Sequence, residues 1–121
     1  MNDGLRQDLK ARAKVYARRM VRLYVALPQR TEAQVLGKQL LRSGTSVGAH
    51  YREACRAKSN ADFINKIEGA LQELEESAYW LELVSDSEIV SGGRLHPLLA
   101  ETNELTAIFV TIVRNTKSKR S

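Results

Sequence analysis

Apolar positions recur at helical spacing through almost the whole chain. Leu9, Ala13, Tyr16, Met20, Leu23 and Leu27 follow at steps of 4, 3, 4, 3 and 4. This is the stripe of a helix packed on one side, and it predicts a helix over 5–27 ended by Pro28. Leu36, Leu40, Ser43, Val47, His50 and Ala54 repeat those steps and predict a helix over 32–57. Thr31 and Gln34 have the spacing of a capping box at its start. Phe63, Ile67, Ala70, Leu74, Ser77, Leu81 and Val84 carry the rhythm through a third segment, 60–85, with Ser59 and Asp62 as a cap signal. Leu98, Thr102, Leu105, Phe109 and Ile112 predict a fourth helix over 95–116, opening near Pro97, a residue suited to a first turn.

Pro28 to Thr31, Lys58 to Asn60 and Ser85 to Gly93 separate these segments. The run Glu88-Ile89-Val90 is too isolated to build a sheet, and the tail 117–121 reads as frayed. Four amphipathic segments with short connections predict one all-α domain over 1–121, an antiparallel up-down-up-down four-helix bundle.

A second stripe on the second segment holds Gly37, Gly44, Gly48 and Cys55 within about 40° of one another on a helical wheel. A glycine inside a helix costs roughly 1 kcal/mol relative to alanine. Three on one face imply close approach of another backbone.

The chain has 121 residues, 43% of them hydrophobic, with a net charge of +5. This suits one modest globular core. No apolar run approaches the ~18–20 residues of a membrane span. The start, Met1-Asn2-Asp3-Gly4-Leu5, lacks the layout of a secretory signal. One cysteine, Cys55, cannot form an internal disulfide, and a reducing cytoplasm is the simplest compartment. Charge is polarised along the chain. Residues 1–60 hold 13 Lys/Arg against 4 Asp/Glu, and residues 61–121 hold 6 against 10. The basic half therefore points either to a polyanion or to the acidic half of the same or a neighbouring subunit.

The basic charge concentrates in a row. Lys10, Lys14, Arg18 and Arg22 stand four apart, opposite the first core stripe, with Arg6, Arg12 and Arg19 beside them. Like charges at this spacing cost a helix roughly 0.2–0.5 kcal/mol per pair. The row fits a phosphate-binding face, where neutralising phosphates releases counterions. It equally fits a solvated face or an ion-pair surface between subunits, and less readily a site for an acidic protein. No base-reading motif accompanies it, so RNA or DNA would be held mainly by its backbone. Glu68, Glu75 and Glu82, seven apart on the third segment, form either a solvated flank or the partners of such arginines.

Candidate chemistry is sparse. A di-iron bundle needs inward glutamates and two Glu-x-x-His motifs; His50 and His96 are the only histidines, and His50-x-x-Glu53 is a single reversed match. No P-loop, dinucleotide motif or zinc spacing is present. The residues call for no metal, cofactor or catalytic set, and the expectation is a protein that is not an enzyme.

The segments QLLRSGTSVGAHYREA (39–54), SNADFINKI (59–67) and ALQELEESAYWLEL (70–83) resemble, in this order, the 23S ribosomal RNA intervening-sequence proteins. The resemblance extends over nearly the whole chain. It implies a four-helix bundle assembled into a homopentamer, with a poorly defined function. The accessory variability determinant of diversity-generating retroelements is similar, a basic pentamer that binds nucleic acid and a reverse transcriptase. His50 departs from the family's usual Asn and adds potential pH dependence; Glu53, after Arg52, matches the family's acid. The resemblance supplies no catalytic set. Gly37, Ser43, Gly44, Ser46, Gly48, His50, Arg52 and Glu53 are expected to serve packing or an oligomer interface. Lys10, Lys14, Arg18 and Arg22 are expected to bind nucleic acid. The resulting expectation is an oligomeric accessory protein that binds RNA or other nucleic acid. The alternative is a structural or protein-docking scaffold without that role.

Overall fold

A computed structural model describes residues 3–120. Its elements are α1 (Asp3–Ala26), α2 (Thr31–Cys55), α3 (Asn60–Asp86) and α4 (Gly92–Arg120), packed as a four-helix bundle, with no strand among the described residues. Residues 1, 2 and 121 of the expected domain lie outside the described residues. Contacts between α1 and α2, and between α2 and α3, pair rising numbers in one helix with falling numbers in the other. Tyr24, Met20 and Ala13 lie against Gly37, Gly44 and Gly48, while Arg42, His50 and Glu53 reach Glu76, Glu73 and Lys66.

The helix starts show where local signals hold. Ser59 is extended and accepts the Asp62 backbone N–H at 3.0 Å, so the cap expected for α3 forms. The capping box expected for α2 does not. Arg30 occupies the cap position without a side-chain bond, and Thr31 is already helical. Gln34 instead accepts the Tyr24 hydroxyl at 2.9 Å and donates to the Pro28 carbonyl at 2.9 Å. It ties α2 to the end of α1, a contact that local spacing cannot reveal. α4 begins at Gly92 rather than near Pro97. The Ser91 carbonyl accepts the N–H groups of Arg94 and Leu95, and Leu95 is thereby buried. Pro97 lies in the second turn, where its missing N–H deprives only the Gly93 carbonyl, on an exposed residue, of a partner. At the other end, α4 is helical through Arg120, beyond the point where fraying was expected.

α2 buries a broader face than one stripe. Ala33, Gly37, Leu40, Ser43, Gly44, Val47, Tyr51 and Ala54 are all buried, because α2 packs on both α1 and α3. Leu36 and His50, expected on the core line, are half-buried at its edges. Tyr51 takes the inward place instead and stacks on Phe109, with ring centroids 5.5 Å apart and planes 7° from parallel.

A polar layer crosses the apolar core. Ser43, Ser77 and Thr102 are fully buried, as is Tyr16. The Ser43 and Ser77 hydroxyls are 2.8 Å apart. The Tyr16 hydroxyl lies 2.6 Å from Thr102 Oγ1 and also interacts with Ser77. Thr102 donates its one proton to the Leu98 carbonyl at 2.8 Å, which leaves Tyr16 as donor to Thr102. One residue from each helix thus meets at this level. Burial pushes the Tyr16 phenol up to about 12.

Candidate nucleic-acid interface

The same stripe that buries Leu9, Ala13, Tyr16 and Met20 turns the basic row of α1 outward. Lys14, Arg18 and Arg22 are exposed and Lys10 is half-buried. The structure records no ion pair for any of the four among the described residues. Val15, Val21 and Val25 are exposed on the same helix, Val25 with 74% of its surface open.

Arg12 behaves differently from the row beside it. Its Nε and Nη2 donate to the two oxygens of Glu101 at 2.8 and 2.7 Å, and Nη2 also lies 2.8 Å from Glu104. This bidentate pair closes α1 onto α4. Hydrogen bonds donated to Glu101, and then to Glu104, push the guanidinium further above its usual range. Reciprocally, the Arg12 bond holds the Glu101 carboxyl below its ordinary value, against the effect of burial. Arg12 is therefore structural.

The Glu68, Glu75 and Glu82 row is exposed and does not meet the basic row within the chain. Other glutamates make the α2–α3 ion pairs. Arg42 reaches Glu76 at 2.6 Å and Glu73 at 3.4 Å, and Lys66 reaches Glu53 at 3.6 Å. Heptad spacing did not mark Glu73 and Glu76, because they become partners only when α2 and α3 are in register.

The residues expected to serve packing or an interface divide. Gly37 lies under Leu27 and Tyr24, and Gly44 under Met20; at each, a side chain of α1 fills the space a Cβ would need. Only at Gly48 does a backbone approach, that of Ala13, and there the distances are ordinary. The close approach is thus mainly side chain into notch. Ser43 belongs to the polar layer. Ser46 is half-buried and donates to the Arg42 carbonyl at 2.6 Å. His50 lies over Gly69 with Nε2 3.8 Å from Glu73, and its buried Nδ1 has no partner. Arg52 and Glu53 are exposed. Among the described residues no group of three or more His, Cys, Asp or Glu could hold a metal ion, and no helix is long and apolar enough to cross a membrane.

A family model described as 23S rRNA-intervening sequence protein matches residues 7–111. Among solved structures, the chain is similar to a protein of the S23 ribosomal protein family from Bacteroides thetaiotaomicron, whose function is given as unknown. The two are 38% identical; the match covers 90% of this chain and 97% of that one, with a TM-score of 0.84. No curated protein matches the sequence.

Proposed function

The chain belongs to the 23S rRNA-intervening sequence protein family, and from that premise we propose that it is an oligomeric accessory protein that binds RNA through α1 rather than an enzyme. One observation carries this reading. Four cations line the outward face of α1 with no carboxylate partner among the described residues, whereas Arg12, Arg42 and Lys66 are each paired. Such a row attracts a polyanion and holds it through phosphates, with little sequence preference. A cytoplasmic setting fits the single free thiol.

The test is replacement of Lys10, Lys14, Arg18 and Arg22 together by Gln. Each phosphate contact on a single strand contributes roughly 0.7 to the slope of log affinity against log salt, so the variant should lose about 3 from that slope. Helix content by circular dichroism should be unchanged. An unaltered slope removes the row from the binding site.

A second reading rests on the exposed Glu68, Glu75 and Glu82 and the outward valines. In it, the row of one copy meets the glutamates of another, building a pentamer or other homo-oligomer that docks proteins and binds no nucleic acid.

A further inference from the structure

A second basic feature lies beyond the row. A cleft of about 280 Å³ opens where the start of α1, the α2–α3 turn and the end of α4 meet. Arg6, Lys58 and Lys119 line it, and no Asp or Glu among the described residues does; Asp62, in the first turn of α3, stays outside the lining. None of the three cations has an ion pair recorded among the described residues. The Arg6 Nε is buried, with no hydrogen-bond partner among the described residues. Three cations converging on one cleft, with no carboxylate in its described lining, suit an incoming anion. Ser59 and Asn60 bring the positive end of the α3 dipole to the same place. Ala54, Phe63 and Ile112 form an apolar wall beside the cations.

We propose that this cleft binds a terminal phosphate of a nucleic-acid strand, with the adjoining nucleoside against the Phe63 wall. A phosphomonoester carries about −1.5 to −2 charge at neutral pH. That matches three convergent cations better than the single charge of a backbone diester or a carboxylate. Arg6 also stands four residues before Lys10, so the cleft extends the α1 row. A strand lying on that row would end here. The source of the phosphate rests on the RNA-binding reading; the cation cluster itself does not.

The test compares a short oligouridine bearing a 5′-phosphate with the same oligomer bearing a 5′-hydroxyl, by fluorescence anisotropy on the full chain. The wild-type protein should prefer the phosphorylated end by about tenfold, the scale of charge-assisted hydrogen bonds. Arg6→Gln should abolish that preference. Lys58→Gln with Lys119→Gln, exposed positions that leave the core intact, should reduce it. Gln at positions 10, 14, 18 and 22 should weaken both oligomers and keep their ratio. Equal binding of the two oligomers by the wild type would overturn the cleft assignment and leave the RNA reading standing. Failure of both to bind would remove the RNA reading. The cleft would then be judged by titrating uridine 5′-monophosphate and following the amide resonances of Lys58, Ser59 and Asn60. A saturable shift lost in Arg6→Gln supports the site, and its absence overturns it. Inorganic phosphate that competes equally well would overturn a nucleic-acid end as the ligand.

Discussion

Tyr16 has no accessible surface, and its hydroxyl is held by Thr102 and Ser77 in the middle of the core. A buried phenol resists ionisation, so its folded pKa is raised to about 12 from an ordinary 10.0. Tyr51 is raised in the same direction, first by burial and then by Cys55. The stability these groups contribute is fully present below pH 10 and is lost as pH rises through the folded value. The wild-type protein should therefore lose stability between about pH 10 and 12 in urea melts, and Tyr16→Phe should show a shallower decline over that window. At neutral pH the same change should cost about 0.5–1.5 kcal/mol, because Thr102 keeps the Leu98 carbonyl and Ser77 keeps Ser43. An alkaline limb identical in both proteins would place its origin away from Tyr16. The stripes showed that Tyr16, Ser43, Ser77 and Thr102 face inward. That they meet at one level depends on the mutual height of four helices, which no single segment encodes.

At the scale of elements, the α1–α2 contact separates glycines that look equivalent in sequence. A Cβ at Gly44 would collide with Met20, including its Cβ at 3.2 Å, which no rotamer change can move. A Cβ at Gly48 would meet Ala13 at 3.5 Å, an ordinary contact. Gly44→Ala should therefore destabilise the bundle by about 1–3 kcal/mol through overpacking. Gly48→Ala should stabilise it by about 0.5–1 kcal/mol, the gain in helix propensity. Thermal melts of the two variants should move in opposite directions. Two equal shifts would mean that the helices separate to admit the methyl group. The small-residue stripe was legible in sequence, but its partner was not. The notch is filled by Tyr24, Leu27 and Met20, residues that the periodicity of α1 marks only as apolar or polar.

For the whole molecule, the two charged rows separate the scaffold reading from the RNA reading. Within one chain both rows face solvent, with Lys10 half-buried, and no ion pair joins them among the described residues. Reversing Lys10, Lys14, Arg18 and Arg22 to Glu should break the assembly under the scaffold reading, and reversing Glu68, Glu75 and Glu82 to Lys should restore it. Light scattering on a size-exclusion column would follow both. An assembly intact after the first reversal counts against the scaffold and leaves the row available to RNA. The same column run with structured RNA at low and moderate salt should show uptake at low salt and release at higher salt, since the attraction is screened and counterion-driven.

Hydrophobic periodicity by itself determined the four helices, the inward side of each to within about one position, and the outward side that carries the basic row. Burial of an apolar face is a property of each segment, repeated every three to four residues. Tertiary structure alone decided which polar groups became partners. Arg12 was one of several flanking arginines until α4 brought Glu101 to it, and Gln34 was a capping residue until Tyr24 and Pro28 reached it first. Arg6, Lys58 and Lys119 share a cleft only because one end of α1, a turn and the far end of α4 converge. Hydrogen bonds and ion pairs act over a few ångströms between residues distant in sequence, so their pairing depends on the register of helices rather than on the pattern within any one of them.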